Sequence, residues 1–400
     1  MDYDVEKIRA DFPALKSGLA FFDGPGGSQV PSQVGNAISE AITRPISNRS
    51  VTTESERNAD EIVINFRQAV ADLINTDPSG VVYGRSWTQI TYDFSRTLAK
   101  TWKPGDEIIV TTLDHDSNIR PWVQAAESAG VTVKWAKFDT ETGEFPTATI
   151  AELLSHKTRL VAVTGAGNTI GTRPDIRAIA EEVHRSNALL YVDGVHLTPH
   201  IAVDMQELGA DFYGFSFYKL LGPHCAAIAA NPELLATLDN DKLLPSTSMV
   251  PERFEFGTLP YELMAGCTAT VDYLSNLVVN TASSRRQRII HSMHALERYE
   301  EHLFGIMEEE IKALPGVITY GHAGKRTPTI YFNIKGLAGA DIYKHLANQK
   351  INAPSGNFYA LEVSRALGLG DSGAVRAGLA PYSTQDDVTR LINGLRELTK

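Results

Sequence analysis

The chain has 400 residues, of which 43% are hydrophobic and 21% are charged, so it is long enough for one large core and a smaller second domain. Its formal net charge of −11 argues against nucleic-acid binding, because an acidic surface repels phosphate backbones. Two cysteines, a charged start and no apolar run of about 18 residues argue against a disulfide framework, a secretory signal and a membrane span, and predict a cytoplasmic protein.

Between residues 80 and 230, short apolar segments alternate with helical patterns. Several of these segments are apolar without alternation, which is typical of parallel strands covered by helices on both faces. The predicted strands are residues 80–84, 107–113, 132–138, 159–166, 188–194, 212–219 and 225–230. The predicted helices between them include residues 88–102, 122–130 and 175–187. This order predicts a doubly wound α/β domain with a mainly parallel sheet.

The C-terminal third has a different pattern. Residues 251–265 predict a loop that leads into a helix, and a long helical segment occupies residues 282–316, followed by short strands that alternate with helices. We therefore predict a large α/β domain over residues 17–265. The remaining residues, 266–400 together with the N-terminal 1–16, are predicted to form a smaller α+β domain.

Polar side chains follow many of the predicted strands, at the edge where ligands bind in open α/β sheets. A lysine, an aspartate, an asparagine and two histidines are expected to meet there. A helix begins just after the first strand, and its free backbone N–H groups offer a site for an anion. The residues in question are Ser86, His115, Asn168, Asp193, His196 and Lys219.

This combination fits the chemistry of pyridoxal phosphate. That cofactor needs a lysine for its aldehyde and an acid that keeps its pyridine nitrogen protonated. Lys219 and Asp193 are 219 − 193 = 26 residues apart, which is enough for one crossover to a neighbouring strand. His196 and His200 invite a metal interpretation, but Pro199 interrupts the helix that their spacing would need, so we predict no metal site.

Several motifs resemble the class-V aminotransferase family of pyridoxal-phosphate enzymes, specifically its cysteine desulfurase-like branch. They are "LDHDSNIRPW", "GAGNTIGT", "YVDGVHLTPHIAVDMQELGADFYGFSFYKLLGP", "FEFGTLPYE" and "AVRAGLAPYST". The resemblance begins near "FFDGPGGSQVP" at residue 21 and continues to the C-terminus. It implies the fold-type I architecture, with a large domain and a smaller C-terminal domain, and a homodimer with shared active sites.

The resemblance also implies roles for individual residues. Lys219 would bind the cofactor covalently, Asp193 would pair with its pyridine nitrogen, and His115 would stack on its ring. Arg376 would bind the substrate carboxylate, with Asn168 nearby. The other implied cofactor contacts are Asn168 and His196 near the phenolate oxygen, Ser86, Trp87 (through backbone amides), Ser216 and Tyr218 at the phosphate, and Gly257 and Thr258 reaching the phosphate of the partner subunit.

One residue departs from the desulfurase pattern. In true desulfurases a cysteine stands in a loop of the C-terminal domain, and the corresponding run here is "GNFYA", with Tyr359 at the cysteine position. A phenol with a pKa near 10 cannot accept sulfur as a thiolate does. Cys225 is interpreted as a small core residue rather than a nucleophile.

The predicted function is that of a pyridoxal-phosphate enzyme acting on a small amino acid through an external aldimine, with cysteine desulfurase-like or C–S lyase chemistry. Transamination and racemisation or epimerisation stay open, because side-chain pockets decide among these reactions. An inactive binding protein with the same fold is a further alternative. Retention of Lys219, Asp193 and Arg376 argues against it, since a scaffold has no need of all three.

Overall fold

Strands and helices alternate through the first 230 residues of the computed structural model, which describes residues 3–399. The helices are α1 (Val5–Ala10), α2 (Ser32–Thr43), α3 (Glu54–Ile74), α4 (Trp87–Ala99), α5 (Arg120–Ala129), α6 (Ala148–Ala151), α7 (Ile176–Arg185), α8 (Met205–Leu208), α9 (Pro232–Thr237), α10 (Tyr261–Leu274), α11 (Arg285–Lys312), α12 (Gly339–Asn348), α13 (Leu361–Ala366) and α14 (Gln385–Leu398). The strands are β1 (Ala20–Phe21), β2 (Val81–Gly84), β3 (Glu107–Thr111), β4 (Thr132–Ala136), β5 (Thr158–Thr164), β6 (Leu189–Asp193), β7 (Phe212–Ser216), β8 (Ala226–Ala230), β9 (Val317–Tyr320), β10 (Thr329–Ile334), β11 (Ile351–Asn352), β12 (Ser355–Gly356) and β13 (Ala374–Gly378).

The large sheet contains seven strands in the order β2-β8-β7-β6-β5-β3-β4. The pairs from β7 to β4 are parallel, and β8 pairs antiparallel with both β7 and β2. Strand β4 lies on one side of β3 and β5 on the other, so the direction of the chain across the sheet reverses at β3. Sheets of this kind bind ligands beyond the carboxyl ends of the strands at such a reversal. The predicted α/β fold class is confirmed.

The continuous apolar runs arise because both faces of the sheet are covered. Along β3, Ile109 packs into a core with α3, α7 and α10, whereas Ile108 and Val110 pack into a second core with α4 and α5. Side chains of a strand alternate between faces, so each face requires its own apolar set. The three residues are fully buried. The absence of alternation in the sequence thus reflects a central layer between two layers of helices.

A second sheet, β12-β13-β10-β9, is antiparallel and packs with α11, α12 and α14 around a separate core. Strand β1 pairs in parallel with β11, and Phe22 packs in this separate core, so residues just after position 17 join the C-terminal unit. Helix α10 continues across position 265. The domain bounds proposed from the sequence stay a prediction. Within residues 3–399, no helix is long and apolar enough to cross a membrane.

Candidate active site

Lys219 lies in a single 3-10 turn that follows β7. The strand ends at Ser216, and the turn spans Phe217–Lys219, so the prediction of a strand through residue 219 was wrong by three residues. The Phe217 carbonyl closes the turn by accepting from the backbone N–H groups of Leu220 (2.8 Å) and Gly222 (2.9 Å). This tight turn keeps the Lys219 side chain at the sheet edge, where only 8% of the residue is exposed.

Burial changes the pKa of the lysine and of the carboxylate beside it. The pKa of Lys219 is lowered to about 7, chiefly by desolvation and additionally by the positive charge of Arg376, against the attraction of Asp193. Desolvation raises the pKa of Asp193 to about 6, opposed by its hydrogen bonds and by Lys219. A buried lysine with a pKa near neutrality has a substantial neutral fraction, which a nucleophilic or basic amine requires.

Trp87 fixes the Asp193 carboxylate. The indole Nε1 donates to Oδ2 at 2.7 Å, and the backbone N–H of Val195 donates to Oδ1 at 2.9 Å. The indole needs Gly214 on the neighbouring strand, since a Cβ there would lie 2.0 Å from the Trp87 ring. The sequence predicted only a backbone role for Trp87, so the side-chain contact was missed. The signal for it lies in the sheet order, because Asp193 ends β6, three strands from β2.

His115 follows β3 and faces the same cleft as an uncharged ring. Its Nδ1 accepts from the backbone N–H of Ser117 at 3.1 Å and lies 2.7 Å from the Ser117 hydroxyl. Burial lowers the pKa of His115 to about 3, with a further contribution from the charges of Lys219 and Arg376. A neutral imidazole held in this way is suited to stacking on an aromatic ligand ring.

Asn168 and His196 each leave one buried polar atom unsatisfied. His196 Nε2 lies 3.0 Å from Thr327 Oγ1 and 3.2 Å from Thr329 Oγ1, whereas Nδ1 has no partner among the described residues. Asn168 Nδ2 donates to the Phe358 carbonyl at 3.0 Å, and its Oδ1 has no partner within residues 3–399. Both residues line the cleft that contains Lys219. Unsatisfied buried atoms at a cleft indicate a bound polar group.

The structure brings most of the predicted site residues together. One cleft is lined by Ser86, Trp87, His115, Asn168, Asp193, His196, Ser216, Tyr218 and Lys219. Ser86 caps α4 by accepting from the Gln89 backbone N–H at 3.1 Å, so the N-terminus of that helix opens at the cleft. Gly257 and Thr258 are exposed on a separate loop and do not join this cleft within the described chain.

Arg376 borders the cleft from the second sheet. It lies on β13, is 2% exposed, and donates from Nη1 to the Asn168 carbonyl at 3.0 Å. Its Cζ lies 3.8 Å from the centroid of the Phe358 ring. Desolvation lowers the pKa of Arg376 to about 10, opposed by Tyr331 and Asp23, so the guanidinium stays charged at neutral pH.

Tyr359 follows Phe358 in the loop between β12 and α13. Tyr359 is 73% exposed, and the centroid of its ring lies 5.5 Å from that of His115 at an interplanar angle of 30°. The Tyr359 carbonyl accepts from the Asp116 backbone N–H at 2.7 Å. The loop is therefore held to the large domain at two consecutive residues, because Asn168 also donates to the Phe358 carbonyl.

Pyridoxal phosphate fits this set of donors and acceptors. The unsatisfied atoms of Asn168 and His196 require a polar ligand, and the N-terminus of α4 suits a phosphate. Lys219 supplies a buried amine and Asp193 a fixed carboxylate, the two groups that this cofactor needs.

Comparison with known proteins agrees with this site. The family model described as aminotransferase class-V matches residues 20–391, which includes both sheets. The chain belongs to the class-V aminotransferase family. As a class-V protein it is a pyridoxal-phosphate-dependent enzyme, and the predictions of the family and of the cofactor are confirmed.

Relatives of this class-V enzyme cover its whole length. An uncharacterised protein of Mycobacterium tuberculosis is 33% identical, with 100% of each chain covered. A cysteine desulfurase of Pectobacterium atrosepticum is 28% identical, with 100% of this chain and 98% of the relative covered. The crystal structure of the cysteine desulfurase CsdA from Escherichia coli superposes with a TM-score of 0.87 at 24% identity, with 100% of each chain covered. The last comparison supports the fold.

Proposed function

We propose that this class-V enzyme is a C–S lyase that acts on a small amino acid such as cysteine, rather than a desulfurase that forms a persulfide. The observation that carries the proposal is the burial of both cysteine thiols. Its two cysteines, Cys225 and Cys267, are 1% and 0% exposed and lie in the core between β8 and α10. Burial also raises the pKa of the Cys267 thiol. Neither thiol is available to take sulfur from a substrate.

Lys219 would hold pyridoxal phosphate through its amine, and Asp193 would hold the proton on the ring nitrogen. When bound, the cofactor supplies an electron-withdrawing ring that stabilises negative charge at the substrate Cα. His115 would cover the ring, and Ser86, Ser216 and the N-terminus of α4 would hold the phosphate. Trp87 supports Asp193 by donating to Oδ2, which keeps the carboxylate in one orientation.

Lys219 would also move the proton in the reaction. Its amine is buried and its pKa is lowered to about 7, so it is poised to take a proton from the substrate Cα near neutral pH. Loss of that proton is followed by breakage of the Cβ–S bond, and the sulfur leaves as sulfide. The remaining 2-aminoacrylate is hydrolysed to pyruvate and ammonia. No nucleophile of the protein is needed at sulfur, in agreement with Tyr359 at the cysteine position.

We further propose that the active sites are shared in a homodimer. The loop with Gly257 and Thr258 is anchored just before them, where Glu255 accepts from Arg67 Nη2 at 2.7 Å and from the Tyr83 backbone N–H at 2.9 Å. A fastened loop with an exposed tip is suited to reach a second subunit. A symmetric dimer is also the commonest closed assembly.

The test is product analysis of the purified holoenzyme with a panel of small amino acids under reducing conditions. With cysteine we expect sulfide, pyruvate and ammonia in equal amounts. The Cys225→Ala/Cys267→Ala double variant serves as the control for sulfur transfer and should form the same products. Stoichiometric alanine with a persulfide on either cysteine would contradict the proposal. Production of a 2-oxo acid that retains the substrate side chain, or of the enantiomer, would favour transamination or racemisation instead.

A further inference from the structure

We propose that Phe358 is a positioning residue that orients the Arg376 guanidinium for the α-carboxylate of the substrate, and that Gly26 keeps the free edge of this guanidinium open. The inference rests on the proposed function, because it concerns how the amino-acid substrate is recognised.

Phe358 and Arg376 form a stacked pair at the boundary of the cleft. The guanidinium carbon lies 3.8 Å from the ring centroid, which places one face of the guanidinium on the ring. The Nη1 end is held by the Asn168 carbonyl at 3.0 Å. Two of the directions in which the guanidinium could move are therefore blocked, one by the ring and one by the hydrogen bond.

Asn168 holds the backbone of Phe358 as well as the guanidinium. Its side-chain Nδ2 donates to the Phe358 carbonyl at 3.0 Å, while its own carbonyl accepts from Arg376. Phe358 comes from a loop, Asn168 from the segment after β5, and Arg376 from β13. One residue of the large domain thus binds both the loop that carries the aromatic ring and the guanidinium.

The backbone of the loop is held in an uncommon conformation. Phe358 has φ +53° and Tyr359 has φ +58°, so two consecutive non-glycine residues are left-handed. Such residues persist only where the surroundings hold them, and they cluster at functional sites. The restraints are the Asn168 contact, the Asp116 N–H to the Tyr359 carbonyl at 2.7 Å, and the Tyr359 N–H to Asn357 Oδ1 at 2.9 Å. The conformation turns the Phe358 ring onto Arg376.

The opposite edge of the guanidinium is left open. Arg376 Nε is buried and has no partner among the described residues. A Cβ on Gly26 would lie 3.1 Å from Arg376 Nη2, so glycine at this position leaves the space beside that nitrogen free. Nε and Nη2 together form the edge with which arginine binds a carboxylate in a bidentate manner.

The experiment compares glycine with glycinamide as ligands of the holoenzyme, because the two differ only in the carboxylate. Binding is read from the change in the visible absorbance of the cofactor. For Phe358→Ala we expect about tenfold weaker binding of glycine, about 1.4 kcal/mol, and a change of less than about twofold for glycinamide. Phe358→Tyr should restore glycine binding because it keeps the ring. Tyr343→Ala, a partly exposed tyrosine on α12, is the control.

Gly26→Ala should likewise weaken glycine binding and spare glycinamide. Gly35→Ala is its matched control, since a Cβ at Gly35 meets nothing within 4 Å. Equal weakening of both ligands in Phe358→Ala, or loss of its visible absorbance, would overturn the positioning role in favour of a purely structural one. A wild-type protein without visible cofactor absorbance would contradict the proposed function, and this inference with it.

Discussion

The indole of Trp87 donates a 2.7 Å hydrogen bond to Oδ2 of Asp193, although the two residues are 106 positions apart in the chain. Helix α4 begins at Trp87 and β6 ends at Asp193, so the bond joins the N-terminus of a helix to the carboxyl end of a strand. One residue therefore takes part both in the proposed phosphate site and in the support of the carboxylate for the ring nitrogen.

Replacement of Trp87 by Phe should weaken cofactor binding. A smaller aromatic ring replaces the indole and the N–H donor is lost, so the buried carboxylate keeps only the Val195 backbone N–H as a partner. Loss of a hydrogen bond to a charged group costs about 1.5–3 kcal/mol, so we expect the dissociation constant of pyridoxal phosphate to rise roughly 10- to 100-fold. Fluorescence titration of the apoprotein measures it. Trp102→Phe, a buried tryptophan away from the cleft, should bind as the wild type does.

Lys219→Ala should abolish covalent attachment of the cofactor, because no other lysine lines the cleft in the part of the chain that the structure describes. The measurement is borohydride reduction followed by peptide mass spectrometry. The wild type should carry the reduced cofactor on the peptide that contains Lys219, and the variant should carry none. An adduct on another lysine in the wild type would disprove the assignment.

Stability of the apoprotein should depend on pH through Lys219. Its pKa is lowered from 10.5 to about 7 on folding, so between these values the unfolded chain binds more protons than the folded one. The contribution of this group to stability is therefore present above pH 10.5 and is lost as pH falls through 7. Lys219→Met removes the effect and should be more stable than the wild type at pH 7. The stability difference should shrink towards pH 10, by at most about 1.4 kcal/mol per pH unit.

Urea denaturation of the apoprotein at several pH values tests this prediction. Lys157→Met is the matched control because Lys157 is exposed, and its stability should follow that of the wild type. Asp193 affects the stability of the apoprotein at lower pH than Lys219 does. Its pKa is raised from 3.8 to about 6, so its contribution is present below pH 3.8 and is lost as pH rises through 6. A pH-independent difference between Lys219→Met and the wild type would show that the amine is not desolvated.

Thr258→Ala should weaken cofactor binding only if the protein is a dimer with shared sites. Thr258 is exposed in the chain and lies outside its own cleft, so an effect on affinity implies contact with the site of another subunit. Analytical ultracentrifugation of the holoenzyme should give a dimer. Thr389→Ala, an exposed threonine on α14, should leave affinity unchanged. A wild-type monomer with full cofactor affinity in dilute solution would refute the shared site.

The sequence alone determined the layers of the large domain and the strands after which its reactive side chains stand. Apolar runs without alternation predict strands covered on both faces, and this pattern is local, so the seven strands of the large sheet could be recognised with errors only at their ends. The 26 residues between Asp193 and Lys219 allow one crossover, and β6 and β7 are indeed neighbours. The family motifs then indicated which cofactor these groups would hold.

Only the tertiary structure decided which side chains support those groups. The bond from Trp87 to Asp193, the bond from Asn168 to the Phe358 carbonyl and the pairing of β1 with β11 join residues from distant parts of the chain. The periodicity of apolar residues indicates which face of a helix or strand is buried, but it does not indicate which residues that face contacts. The pKa of Lys219 is likewise lowered by burial and by a charge from another sheet, and these exist only when the chain is folded.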